Sequence, residues 1–100
     1  MKIFVSNGLR GKADPKAYIE LCRKAVDAAF PNGERIDSYF PDFDGSRIQF
    51  LGKSIGEKLS QADLAVFVDD WHKYDGCVVE HLVAQRYGIE IAYVSTANVS

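Results

Sequence analysis

The stretch Ala62-Asp63-Leu64-Ala65-Val66-Phe67-Val68-Asp69-Asp70 decides the fold. From Leu64 to Val68 five apolar residues follow one another without a polar break, and the run stops at two aspartates. A strand with one wet face alternates apolar and polar side chains, whereas a strand apolar on both faces belongs to a sheet covered by helices on both sides. The run therefore reads as the central strand of a parallel sheet, and its neighbours should be helices.

They are, on either side. Downstream, Asp75 reads as the N-cap of a helix running to about Tyr87, Gly88 closes it as a C′ glycine, and Ile89 to Val94 is a further strand. Upstream, Ile48, Leu51, Ile55, Leu59 and Ala62 keep helical spacing, although Gly52 and Gly56 each weaken that helix by about 1 kcal/mol. Before it lie a mixed strand from Arg35 to Phe40 and the turn-rich Pro41-Asp42-Phe43-Asp44-Gly45. Asp14-Pro15 supplies an N-cap with proline at the first helical position, Tyr18, Cys22, Ala25 and Ala29 share one face, and Pro31-Asn32-Gly33 ends that helix. Lys2 to Ser6 is the first strand, closed by Asn7-Gly8.

Strand and helix thus alternate four strands deep. The order predicts a single domain over residues 1–100, an α/β three-layer sandwich whose four-stranded parallel sheet has the order 2-1-3-4, flavodoxin- or Rossmann-like. Ligands of such sheets bind beyond the carboxyl ends of the strands, where the strand order reverses, here between strands 1 and 3. Two loops are selected by that rule. One is Ser6-Asn7-Gly8-Leu9-Arg10-Gly11; the other runs from Asp69 to Gly76.

Composition narrows the class of ligand. A chain of 100 residues, 47% hydrophobic and 26% charged, makes one ordinary domain that buries about two thirds of its surface, so self-association would help its stability. The net charge of −2, with Lys and Arg scattered along the chain, argues against a nucleic-acid polymer or an anionic membrane and for a small molecule. Cys22 and Cys77 have neither CxxC spacing nor a secretory context and read as reduced, semi-buried thiols. The opening MKIFVSNG lacks the pattern of a signal peptide, and there is no apolar run of about 18 residues. A cytoplasmic protein is expected.

Several constellations fall on the ligand edge. On a helical wheel Glu80 aligns with Ala84 and Tyr87 and away from His81 and Gln85, so it borders the core. It reads either as a flank glutamate meeting Arg10 or as a carboxylate about one turn inside a helix that opens at the ligand edge. Asp69, Asp70, Trp71, His72, Tyr74 and Asp75 form an acidic, aromatic loop; such residues suit a solvated turn, or else rings that stack on a nucleobase and carboxylates that bind ribose hydroxyls. Leu9-Arg10-Gly11-Lys12 suits a phosphate or ribose edge and equally suits ordinary surface charge. A metal at Asp69, Asp70 and His72 lacks a second histidine or matching carboxylate, so none is expected. Gly52-Lys53-Ser54 is no phosphate loop, because Arg47 stands where the earlier glycine is required. A phospho-receiver domain fails on order, since its acidic pair follows strand 1.

Taken together, Ile3-Phe4-Val5-Ser6 with Leu9-Arg10-Gly11, the strand Leu64 to Val68 with the acidic loop after it, and Asp75-Gly76-Cys77-Val78-Val79-Glu80 leading to Ala84–Ile91 resemble the nucleoside 2-deoxyribosyltransferase superfamily. That superfamily includes the 2′-deoxynucleoside 5′-phosphate N-hydrolases. The resemblance implies that Glu80 is a nucleophile attacking the anomeric carbon of a deoxyribose, through an oxocarbenium-like state, to form a covalent glycosyl-enzyme. It implies that Asp75 orients the sugar or the nucleophile. Substrate contacts would come from Ser6, Asn7, Gly8 and Arg10 in the first loop and from Asp69, Asp70, Trp71 and Gly76 in the second. A nucleoside or nucleotide partner, a homodimer or higher homo-oligomer, and no cofactor or metal are implied with it.

One position departs from the pattern. Active members carry an aspartate in helix 2, eight residues before the position of Asp63, that helps protonate the leaving base; this chain has Ile55, which fits the apolar stripe. The acid step would then fall to Asp69, Asp70 or Asp75. The sequence also stops soon after strand 4, so the carboxy-terminal extension of larger transferases is not expected. The expectation is therefore N-glycosidic cleavage or deoxyribosyl transfer through Glu80, with a catalytically silent nucleotide-binding or sensing module as the alternative.

Overall fold

A computed structural model of the chain describes residues 1–36 and 44–98. In chain order its elements are β1 (Lys2–Ser6), α1 (Pro15–Ala29), β2 (Glu34–Ile36), α2 (Arg47–Lys53), β3 (Leu64–Val68), α3 (Asp75–Arg86) and β4 (Glu90–Val94). The strands form one all-parallel sheet in the order β2-β1-β3-β4, the flavodoxin-like arrangement expected. The continuation of the expected second strand to Phe40, and the turn at Pro41-Asp42-Phe43, lie outside the described residues.

β3 is central because both of its faces are apolar. All five of its residues are buried, and it pairs with β1 (Phe4 opposite Ala65) and with β4 (Ala65 opposite Ile91). Alternation along the strands then divides the core in two. Ile3, Val5, Leu64, Val66 and Val68 meet Cys22 and Val26 of α1 on one face. Phe4, Ala65 and Phe67 meet Leu59, from the turns that follow α2, and Ala84 of α3 on the other. Each large apolar side chain so buried contributes about 1.5–3 kcal/mol.

Helix boundaries follow local chemistry with some corrections. Asp14 caps α1, accepting from the Ala17 amide at 3.1 Å, with Pro15 at the first helical position. The buried stripe of α1 is Ile19, Cys22, Ala25 and Val26; Tyr18 is half-buried and Ala29 exposed, so the face is rotated by about one position from the expected one. Ser46 and Gln49 form a reciprocal capping box at the start of α2. The single long helix expected from Ile48 to Ala62 is instead α2, a π turn over Ser54–Lys58 and a 3-10 turn over Leu59–Gln61, with Ile48 78% exposed.

α3 also differs from expectation at both ends. Asp75 is its first residue, and the N-cap is Tyr74, which makes no side-chain capping bond. Tyr87 is the C-cap and 81% exposed, because the helix has already ended and the wheel that aligned it with Glu80 no longer applies. Gly88 takes the left-handed conformation (φ 73°), and the Ile89 amide reaches back to the Ala84 carbonyl at 2.9 Å. That is the six-to-one bond of a Schellman motif. Among the described residues no helix is long and apolar enough to cross a membrane.

Candidate functional site

Three elements converge on one carboxylate. Ser6 ends β1 two residues after Phe4, so its side chain falls on the face covered by α3 and the turns that follow α2. Glu80 lies in the second turn of α3, one turn before the fully buried Ala84, and is drawn under the helix with it. Ser54 opens the π turn, where the Leu59 amide reaches the carbonyls of both Ile55 and Ser54. Such a turn widens the helix and re-aims the residues within it, and it recurs at functional sites.

The serines hold both carboxylate oxygens. Ser6 Oγ donates to Glu80 Oε1 at 2.8 Å, and Ser54 Oγ donates to Oε2 at 2.8 Å. Glu80 is only 7% exposed, and both serines are buried with it. No cationic side chain pairs with Glu80 among the described residues, so the Arg10 contact considered for it is not made. Burial raises its pKa above the usual carboxylate value, and the two hydroxyls pull in the opposite direction without cancelling it.

Glu80 sits at the floor of a cleft of about 620 Å³ between the loop after β1, α2 and the first turns of α3. That volume lies in the range of small-molecule sites. The cleft opens at the carboxyl ends of β1 and β3, where the strand order reverses. Tyr74 joins its two loops: its hydroxyl donates to the Arg10 carbonyl at 3.1 Å, and its ring lies on the Gly8 backbone. A Cβ added at Gly8 would overlap that ring, so the close approach requires glycine. Cys22 and Cys77 also line the cleft as free, buried thiols; burial pushes Cys77 up to about 11 and raises Cys22 as well, which leaves neither as a thiolate near neutral pH.

Of the residues predicted from sequence, Ser6, Asn7, Gly8, Arg10, Asp75, Gly76 and Glu80 are brought together in this cleft. Asp75 stands at its rim, 90% exposed and 3.8 Å from Arg47. It lies five positions before Glu80, about 7.5 Å along the helix axis. Asp69, Asp70 and Trp71 do not line the cleft. Asp69 leaves β3 in the left-handed region (φ 52°) and turns toward α1, where it accepts from Tyr18 Oη at 2.7 Å, the Thr96 amide at 2.8 Å and Thr96 Oγ1 at 2.7 Å. Burial works to raise its pKa, but the bonds from Thr96 and Tyr18 prevail and lower it.

Asp70 lies 3.9 Å from Lys12. Trp71 stacks on His81 at 4.2 Å between ring centroids, and His81 Nε2 meets Tyr93 Oη at 2.7 Å. His81 is therefore half-buried rather than solvent-facing as its wheel position suggested. Ile55 packs against the Phe4 and Phe67 core. Ser54 was missed by sequence reasoning, since it flanks the apolar stripe and its partner, Glu80, lies 26 positions away. Arg47 and Cys77 were missed as lining residues, whereas Lys73 and Tyr74 belong to the loop from Asp69 to Gly76 that the switch-point rule had selected. The described residues hold no group of three or more His, Cys, Asp or Glu placed to bind a metal ion. Comparison with known proteins finds no family model, no curated protein and no solved structure that matches this chain, so what is established is its class: a four-stranded parallel α/β fold of order 2-1-3-4 with a carboxylate cleft at its switch point.

Proposed function

We propose that this protein cleaves the N-glycosidic bond of a nucleoside or nucleotide, by hydrolysis or by deoxyribosyl transfer, with Glu80 as the nucleophile, as in the superfamily its sequence resembles. The observation that carries the reading is the state of that carboxylate: buried, oriented through both oxygens, facing a nucleoside-sized cleft, and without a cation. A desolvated carboxylate gains most from positive charge that develops beside it. A glycosidic carbon supplies that charge in its oxocarbenium-like transition state, so the interaction is stronger there than with the neutral substrate.

One Glu80 oxygen bonds to the anomeric carbon as the bond from that carbon to the base nitrogen breaks and the electron pair leaves with the base. Ser6 and Ser54 hold the carboxylate so that one oxygen remains hydrogen-bonded as the other reacts. The departing base takes a proton from Asp75 or from water; Asp75 is the one of the three candidate aspartates that lines the cleft. Water or a second base then attacks the same carbon, its proton passing back to the group or solvent that supplied the first, and the bond from that carbon to the Glu80 oxygen breaks to release the carboxylate. The reading extends to self-association, for which Val78 and Leu82 of α3 offer exposed apolar surface.

Ile55 in the core favours a second reading, a catalytically silent module that binds a nucleotide in the same cleft. Incubation with 2′-deoxynucleosides and their 5′-monophosphates, followed by chromatography, tests both. Release of free base that disappears in Glu80→Ala supports the first; turnover unchanged by that substitution refutes it. Thermal stabilisation by the same compounds without base release supports the second.

A further inference from the structure

We infer that the base of the ligand in this cleft is a permanently cationic ring, such as an N-alkylated purine or a pyridinium. The inference rests on the glycosidic reading for the bond that breaks and on the surroundings of Glu80 for the charge of the base. Glu80 is 7% exposed, and its two partners, Ser6 and Ser54, are neutral hydroxyls at 2.8 Å each. Of the cations that line the cleft, Arg23 is held by Glu20 at 2.6 Å, Arg35 by Asp27 at 2.7 Å, and Arg47 stands 3.8 Å from Asp75. Arg10 and Lys73 belong to the two loops at its mouth. Among the described residues none pairs with Glu80, so a buried anion is left for the ligand to neutralise.

The supply of protons points the same way. Cleavage of a neutral nucleoside sends the electron pair out on the base as an anion unless an acid meets it. Where active members of the superfamily it resembles carry that acid, this chain has Ile55, packed against the Phe4 and Phe67 core. Ser6 and Ser54 spend their hydroxyl protons on Glu80, and Tyr74 spends its own on the Arg10 carbonyl. The thiols of Cys22 and Cys77 hold theirs, since burial raises both. Asp75 is 90% exposed beside Arg47 and brings the rim a charge rather than a proton. An anionic base released here would also form close to the Glu80 carboxylate, and like charges repel. A cationic base meets neither obstacle. As a Glu80 oxygen bonds to the anomeric carbon, the bond from that carbon to the ring nitrogen breaks, the electron pair neutralises the ring, and the base departs without taking up a proton. Water then attacks the same carbon, the bond to Glu80 breaks, and the proton of that water passes to solvent.

The test sets 7-methyl-2′-deoxyguanosine and the 2′-deoxyriboside of nicotinamide against 2′-deoxyguanosine and 2′-deoxycytidine. For the cationic pair kcat/KM should be about 100-fold or more higher, since a site without an acid forfeits its contribution only on neutral substrates. The advantage should remain about tenfold once each value is divided by the spontaneous rate of the same compound, and one proton should appear per cationic base released. The two cationic compounds separate an alkylated purine from a pyridinium. Calorimetric titration with 1-methylnicotinamide and its neutral isostere 3-methylbenzamide reads the charge without chemistry. The cation should bind wild type about tenfold more tightly, and Glu80→Gln, which keeps a partner for each serine, should bring that ratio to about twofold or less. No binding by the cation, a ratio that survives Glu80→Gln, or equal normalised rates for cationic and neutral nucleosides would overturn the inference. Charge preference in binding with no base release from any nucleoside leaves the cationic ligand standing and sinks the glycosidic reading. Base release at equal normalised rates from both pairs does the reverse.

Discussion

Glu80 and Asp69 are both acidic, both lie near the carboxyl edge of β3, and both were candidates for the same site, yet the fold treats them in opposite ways. Asp69 meets three donors, two hydroxyls and an amide, on the α1 side of the sheet, and its pKa is lowered although burial opposes that. Glu80 meets two hydroxyls on the α2 and α3 side, burial prevails, and its pKa is raised. The difference lies in the balance between donors and desolvation. With its hydrogen-bonding capacity taken up, Asp69 joins α1 to the segment after β4. Glu80 faces open volume and keeps unmet electrostatic demand, the condition of a group that can still react.

The sharpest way to break this contrast is to remove each carboxylate in turn. Glu80→Ala should lower base release by on the order of 10⁴-fold, measured as initial rate, while the protein remains folded. Asp69→Ala should instead cost about 3 kcal/mol in urea unfolding, through the loss of charge-assisted bonds and the strain of alanine in left-handed backbone. Asp69→Asn, which tolerates that backbone, should cost less. Because the Asp69 pKa is lowered in the folded state, its stabilisation is fully present above the unfolded value near 3.8 and is lost as the pH falls below it. The gap between wild type and Asp69→Ala should accordingly persist at pH 5 and narrow only in stronger acid, down to the part owed to backbone strain.

Ser54→Ala should cost about 1–2 kcal/mol where Glu80 is ionised and less toward the acid side, because the hydroxyl serves the ionised carboxylate more than the protonated one. A cost independent of pH would show that Ser54 is ordinary core and that the π turn has no bearing on Glu80. The smallest effect concerns Glu80→Gln. A raised carboxyl pKa makes the wild-type protein less stable as the pH climbs from the unfolded value near 4.5 through the folded value. Glutamine keeps partners for both serines without the charge, so its thermal midpoint should exceed that of wild type at pH 8 and converge with it toward pH 4.5. A midpoint below wild type at pH 8 would mean that the ionised form is better compensated than its two hydroxyl partners suggest.

Most of the architecture was legible because its signals are local. An unbroken apolar run marks β3, Asp14-Pro15 marks the start of α1, and Gly88 marks the end of α3. The edges of elements were less so. Asp75 has the chemistry of a cap, but the chain enters α3 one residue earlier, through Tyr74, whose ring is committed to Gly8. The site was legible in part for the same reason. Glu80 was recognisable from its helix position and from the switch-point rule. Asp69, Asp70 and Trp71 were grouped with it because they lie in the loop after strand 3 that the same rule selects and have the chemistry of a nucleoside site. Residues leaving a strand turn to different faces, and these three went to α1, Lys12 and His81 respectively.

What the sequence determined by itself is the parallel sheet, its strand order and the edge at which a ligand would bind, since these follow from apolar periodicity and turn chemistry within a few residues of each other. What only the tertiary structure decided is the environment of each acidic group. Glu80 takes its hydroxyl partners from residues 74 and 26 positions away, one of them at the start of a π turn. Desolvation and hydrogen bonding depend on distances through space of a few ångströms, and those exist only once the helices are seated on the sheet.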